Sequence, residues 1–253
     1  MMLQDWVPES IRFLEDAVAH SDYYLRLAEK IAAYLPTEAH ICDAGCGLGE
    51  LSIALIPYCA YVTAVDRASA PIEALRHRIS KREKEKLEIR CTDVLMDNPR
   101  VPYDAMVFCL FGGMEETLRA AAAQCAGPVI LIKRDYMTHQ FSSGGTGLEH
   151  FTAETAEREL SRRRIPYQVE RFELELGQPF RSLEAAEMFF HLYNRGTELS
   201  AEKIAHMLEK TSIPEFPYYL PNRKKLGLLA FQSDDIRRIQ KGEKAICTRN
   251  DTF

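Results

Sequence analysis

Three alternate glycines, Gly45, Gly47 and Gly49, follow an apolar run that ends in Asp43 and Ala44, and the chain continues at once into Glu50-Leu51. Glycine has no Cβ, so it takes the positive-φ conformations of a strand-to-helix reversal and lets a bulky ligand touch bare backbone. The helix that follows aims free N–H groups at that ligand. Two further acids stand where later strands would end: Asp66 closes Tyr61-Val62-Thr63-Ala64-Val65, and Asp93 follows Cys91-Thr92. A carboxylate beside such a turn can accept from both hydroxyls of a ribose, a charge-assisted bidentate contact. These residues could therefore hold a cofactor that carries a ribose.

The elements that must position them read as an alternation. Short aliphatic or β-branched runs at His40 to Ala44, Tyr61 to Asp66, Leu87 to Cys91, Tyr103 to Leu110 and Pro128 to Lys133 are separated by helical stretches starting near Gly49, Ala70 and Met114. Strands alternating with helices of this length imply right-handed crossovers and a parallel sheet covered on both faces. The expected fold class is α/β, doubly wound. Apolar spacing predicts two helices ahead of it, Ile11 to Ala19 and Tyr23 to Leu35, with Ser21 as a cap and Pro36 as a stop.

After the fifth strand, Ser142 to Gly147 reads as a loop, a helix capped by Thr152 runs to Arg164, and Tyr167 to Leu176 and Leu226 to Phe231 read as strands. Between those strands, residues 178–224 carry two amphipathic helices, Leu183 to Tyr193 and Ala201 to Lys210, and a Pro-rich stretch. A connection that long is seldom idle in a compact domain. The organisation is thus an N-terminal helical cap over 1–37, a core over 38–177 and 225–253, and a helical insertion over 178–224. The tail from Ser233 is polar, which predicts partial order.

Two cofactor classes use an acid-and-glycine turn after the first strand. The nicotinamide and flavin fingerprint is Gly-x-Gly-x-x-Gly, whereas this chain has Gly45-x-Gly47-x-Gly49 with Asp43 two residues ahead. That arrangement resembles the first motif of the class I S-adenosylmethionine-dependent methyltransferases, and the resemblance runs over about residues 38 to 135. It implies a Rossmann-like fold with S-adenosyl-L-methionine seated on Asp43, Ala44, Gly45, Cys46, Gly47 and Gly49. It also implies that Asp66, with Arg67 beside it, takes the ribose hydroxyls, and that Asp93 accepts from the adenine amine while Val94 offers its backbone N–H. Cys109 and Leu110 would border the methionine moiety. A nicotinamide-dependent oxidoreductase stays open, since such enzymes use an acid placed like Asp66. So does a regulatory protein that binds the cofactor without catalysis.

Methyl transfer from a sulfonium is an in-line displacement, so positioning and water exclusion dominate and an obvious base is not required. The residues after the fourth strand are Phe111-Gly112-Gly113 rather than the Asn/Asp-Pro-Pro-Tyr/Phe stretch that grips planar nitrogens. With a net charge of −5 and no Lys/Arg-rich appendage, a nucleic-acid substrate is not expected, and a small-molecule acceptor is. The N-terminal helices and the insertion would roof its pocket. Candidate liners are Tyr23, Tyr24, Lys133, Arg134, His150, His191, Tyr218, Tyr219 and Arg223, of which His191, Tyr24 and Tyr219 are candidates for catalysis. Each has a plainer role: His191 lies among apolar neighbours and suits a hydrogen-bonded core, the tyrosines suit packing, and Lys133 and Arg134 suit solvated charges beyond a strand.

The composition, 46% hydrophobic and 27% charged, is that of a water-soluble globular chain. No apolar run approaches a membrane span, and the seven cysteines lack framework spacing, which predicts a reducing cytoplasm. His139 and His150 have no partners at metal spacing, so no metal is expected. The acidic, aromatic insertion offers a surface for homodimerisation.

Overall fold

A computed structural model describes residues 6–136, 152–194 and 198–242. Its centre is a seven-stranded sheet built from β1 (His40–Ala44), β2 (Tyr61–Asp66), β3 (Leu87–Cys91), β4 (Ala105–Cys109), β5 (Pro128–Arg134), β6 (Tyr167–Glu175) and the late strand β10 (Arg223–Gln232). The order across the sheet is β3-β2-β1-β4-β5-β10-β6. Strands β3, β2, β1, β4 and β5 pair in parallel, and β10 runs antiparallel to both β5 and β6. The order reverses between β1 and β4, and at such a switch point the carboxyl ends of the strands open a crevice.

The central strands are buried on both sides, as continuous apolar runs such as Val129 to Ile132 require. One face carries α2 (Tyr23–Ala32) and α3 (Glu50–Leu55), whose Leu27, Ile31 and Leu51 pack with Ile41, Val62, Ile130 and Leu226. The other face carries α5 (Met114–Gln124), α6 (Ala153–Arg162) and α9 (Ser233–Gln240), through Leu118, Leu160 and Ile236 against Phe108, Leu131 and Leu229. Helix α4 (Ser69–Arg78) joins β2 to β3. Thr152 caps α6, its hydroxyl accepting from the Thr155 N–H.

Three features differ from the sequence reading. The insertion holds, besides α7 (Leu183–Tyr193) and α8 (Ala201–Met207), a small antiparallel sheet of β7 (Gln178–Phe180), β9 (Tyr218–Leu220) and β8 (Glu209–Lys210), in that order. Strand β8 starts where the expected second helix was to continue, because Leu208 turns to an extended conformation. The polar tail begins with α9, which is ordered by a single apolar edge: Ile236 is buried, and Arg237 donates to the carbonyls of Ala122 and Cys125. Ser142 to Gly147 and His139 lie outside the described residues.

Helix α1 (Pro8–Ala19) packs against the insertion. Its Phe13 meets Phe189 and Phe180 edge-on, with ring centroids 5.3 and 6.1 Å apart, in a separate core with Phe190, Ile204 and Leu220. Arg181 adds ion pairs to Asp16 and Glu215. The first helix and the described residues of the insertion, 178–194 and 198–220, thus form one apolar unit at the carboxyl edge of the sheet, where Ser21 Oγ donates to the Glu175 carbonyl at 2.8 Å.

Candidate functional site

The turn after β1 is built from backbone. Gly45, Gly47 and Gly49 have φ of 73°, 54° and 73°, the left-handed region that favours glycine. The N–H groups of Gly45 and Cys46 both donate to the Val65 carbonyl, at 2.8 and 3.1 Å, and fasten the turn to the end of β2. Beneath it Asp43 is buried and accepts from Ser52 Oγ at 2.5 Å. Burial pushes the Asp43 carboxyl up to about 6; the Ser52 hydrogen bond opposes the shift and the Asp66 charge adds to it. Asp43 is therefore a strut between β1 and α3. From the other side Arg78 donates to the Leu48 carbonyl at 2.6 Å and pairs with Glu50.

Asp66 ends β2 beside this turn. One carboxylate oxygen accepts from the Gly47 N–H at 2.9 Å and the other from the Ala68 N–H at 2.8 Å. Each oxygen keeps a second lone pair, enough for a vicinal diol. A pocket extends from Asp66 and exposed Arg67 to Asp93 and Val94 at the end of β3, and across to Phe111 and Thr117. Asp93 turns the chain by accepting from the Leu95 N–H at 2.8 Å. Val94 is buried, its carbonyl accepts from Gln124, and its N–H finds no acceptor among the described residues. The Thr117 hydroxyl in the same wall is buried and unpartnered. Unspent donors and acceptors around a pocket with apolar walls fit an adenosine: a diol on Asp66, a purine edge on Asp93 and Val94.

The sequence reading missed the aromatic groups laid on the glycines. A Cβ on Gly45 would run into the ring of Phe111, and one on Gly47 would lie 3.0 Å from Trp6. Phe111 follows Leu110, whose φ of 52° is strained for leucine and turns the chain off β4 towards the glycines. Lys133 holds that turn. It is buried, and its ammonium donates to the carbonyls of Phe111 and Gly112 at 2.9 and 2.6 Å. Burial, with Arg134 adding, lowers its pKa to about 8. A lysine at the end of a strand gives no sequence signal for this role, because the carbonyls it holds are set by the loop after β4.

The remaining candidates divide. Tyr23 and Tyr24 lie over the carboxyl edge, rings 4.9 Å apart; the Tyr23 hydroxyl is buried without a partner, and Tyr24 is half-buried. Burial raises both phenols, and the Cys109 thiol next to them is pushed up to about 12, so all three are neutral near pH 7. Cys46 is partly exposed in the turn. Tyr219 donates to Glu175 at 2.9 Å, and the same carboxylate oxygen accepts from the Asn222 N–H, which ties the insertion to β6.

Tyr218 packs in the insertion's own core. His191 is exposed on α7, not buried among the apolar residues around it in sequence, because the helix turns Phe189 and Phe190 inward instead. Arg223 is exposed at the start of β10. His150 lies outside the described residues.

No family model matches the chain, and no curated protein matches it in sequence. Solved structures do. YcgJ from Bacillus subtilis aligns with a TM-score of 0.52 and 14% identity, over 83% of this chain and 97% of that one. A candidate methyltransferase from Bacillus halodurans aligns at 0.50 and 12%, over 83% and 98%. The sheet order, the antiparallel strand between β5 and β6, and these alignments agree: the chain has the Rossmann-like methyltransferase fold.

Proposed function

We propose that the protein is an S-adenosyl-L-methionine-dependent methyltransferase acting on a small molecule. The observation that carries this reading is the Asp66 carboxylate, set between the glycine turn and a pocket that ends on the free N–H of Val94. The nicotinamide alternative fits less well. Dinucleotide-binding sheets of this kind run 3-2-1-4-5-6 in parallel, whereas here an antiparallel strand separates β5 from β6. The Gly-x-Gly-x-Gly spacing agrees with that distinction.

When bound, S-adenosyl-L-methionine would supply a methyl group on a sulfonium, already joined to an excellent leaving group. The protein's part is placement. Asp66 would hold the ribose, Asp93 and Val94 the purine, and the turn at Asp43, Ala44, Gly45, Cys46, Gly47 and Gly49 the part of the cofactor on the other side of the ribose. Cys109 ends β4 and Leu110 follows it, next to Tyr23 and Tyr24, and these neutral groups would keep water away from the acceptor. Among the described residues the carboxylates that bear on these groups, Asp43 and Glu50, are tied to Ser52 and Arg78, so an acceptor that is nucleophilic as bound suits the site. The unit formed by α1 and residues 178–224 would serve as the acceptor's roof.

Six free cysteines among the described residues suit a reducing cytoplasm, and no helix of the described residues is long and apolar enough to cross a membrane. Incubation with methyl-labelled S-adenosylmethionine and a fractionated extract of small metabolites tests the proposal. Label is expected in a low-mass product. Label confined to nucleic acid or protein would contradict it.

A further inference from the structure

Two cations stand together at the carboxyl edge of the sheet. Arg134 ends β5 opposite Leu226 of β10, and Lys224 lies two residues before Leu226 on the same strand. Side chains alternate across a strand, so Arg134 continues the row of Ile130 and Ile132, and Lys224 the row of Leu226 and Leu228. Those rows form the face on which α2 places Tyr23 and Leu27. Arg134 and Lys224 therefore stand side by side, past the end of the apolar core, with the Arg134 charge felt at the Tyr23 phenol.

The nearby acids are engaged elsewhere. Asp135 pairs with Arg171, and Glu175 accepts from Tyr219 and Asn222. Among the described residues neither Arg134 nor Lys224 has an ion pair; the Arg134 guanidinium donates to the Tyr136 hydroxyl, and the Lys224 ammonium has no hydrogen bond. Tyr23 is 1% exposed, with a phenol that donates to nothing. A half-buried cation pair whose one nearby carboxylate, Glu175, already accepts two hydrogen bonds carries surplus positive charge beside an unspent buried donor, and a ligand anion would offset it. A guanidinium, an ammonium and a phenol together suit an oxyanion, which accepts in two or three directions at once.

We infer that Arg134, Lys224 and Tyr23 form the anchor for an oxyanionic group, a carboxylate or a phosphate, carried by the methyl acceptor. The inference rests on the methyltransferase reading, since it treats the space over Cys109 and the two tyrosines as the acceptor's. Burial and the Arg134 charge lower the Lys224 ammonium to about 8, and the Glu175 charge opposes the shift. The acceptor's neutral reactive end would then lie towards Tyr24 and Cys109, with its acid end towards β10.

The test titrates benzoate and inorganic phosphate separately into the full chain saturated with S-adenosylhomocysteine, using calorimetry. At least one anion should saturate, and which one does identifies the oxyanion. Arg134→Gln and Lys224→Met should each weaken it about tenfold, the scale of one lost charged hydrogen bond. Lys225→Gln removes the same charge one residue away, on the opposite face of β10 where Lys225 pairs with Glu173 at 3.6 Å, and should leave affinity unchanged. All three variants should keep wild-type affinity for S-adenosylhomocysteine, which also shows that they fold.

Saturation by neither anion at about 50 mM, a range that reaches even weak binding, would overturn the inference, as would an equal loss in Lys225→Gln. Failure of S-adenosylhomocysteine to bind the wild type would instead remove the methyltransferase reading.

Discussion

The Asp66 carboxylate lies 2.9 Å from the backbone N–H of Gly47, so the acid that ends β2 is built into the glycine turn that ends β1. One side chain both shapes the seat and offers lone pairs to what sits in it. Asp66→Ala should therefore lower affinity for S-adenosylhomocysteine by about 1.5 to 3 kcal/mol, the worth of a lost charged hydrogen bond. Asp66→Asn, which keeps one acceptor oxygen, should lose less. Calorimetric titration measures both, and equal affinity in Asp66→Ala and wild type would mean that the ribose is held elsewhere.

Trp6 is the only tryptophan of the chain, and a Cβ on Gly47 would meet it at 3.0 Å. A ligand on the glycine turn must displace this ring or pack against it. Tryptophan emission should shift on titration with S-adenosylhomocysteine, with a midpoint equal to the calorimetric dissociation constant. A silent spectrum at saturation would show that Trp6 stays off the cofactor's path.

Phe111 covers Gly45, where φ is 73°. Gly45→Ala should destabilise the fold by about 3 kcal/mol, from the left-handed backbone and the displaced ring together. Combining it with Phe111→Ala should recover the steric part, a non-additivity readable by urea unfolding. Strict additivity would show that the ring does not bear on the turn.

Asp43 gives a pH dependence with a fixed sign. Its carboxyl is raised to about 6 from 3.8, so the native chain binds the proton more tightly than the unfolded chain does. The cost of burying the carboxylate is absent below the ordinary range, grows between about pH 4 and 6, and reaches about 3 kcal/mol above that window. Asp43→Asn removes this titration. Relative to wild type the variant should gain stability as pH rises through the window, and a difference that stays flat from pH 4 to 7 would contradict the buried strut.

Lys133 clamps the chain after β4 through two carbonyls. Lys133→Met should free Phe111 and Gly112 and weaken cofactor binding by about tenfold while leaving the sheet folded. Unchanged affinity with unchanged melting would assign the lysine no positioning role.

Much of the core could be read from the chain because its signals are local. Aliphatic runs such as Val129 to Ile132 mark buried strands, and Gly45, Gly47 and Gly49 announce a backbone conformation that few other residues adopt. The small sheet was hidden because β7 and β9 are three residues each, too short for periodicity, and β9 lies in a Pro-rich stretch. Helix α9 was hidden because one buried isoleucine orders an otherwise polar segment. Trp6, Arg78, Lys133 and Phe111 reach the turn only through tertiary placement. His191 shows the reverse, since the helix turns Phe189 and Phe190 inward and leaves the imidazole in solvent beside exposed Leu192.

Titration of the wild-type chain with S-adenosylhomocysteine and, separately, with NADH tests the central claim most directly. Saturable one-to-one binding of the first, with no heat from the second, is the predicted result. Binding of NADH without binding of S-adenosylhomocysteine would contradict the account.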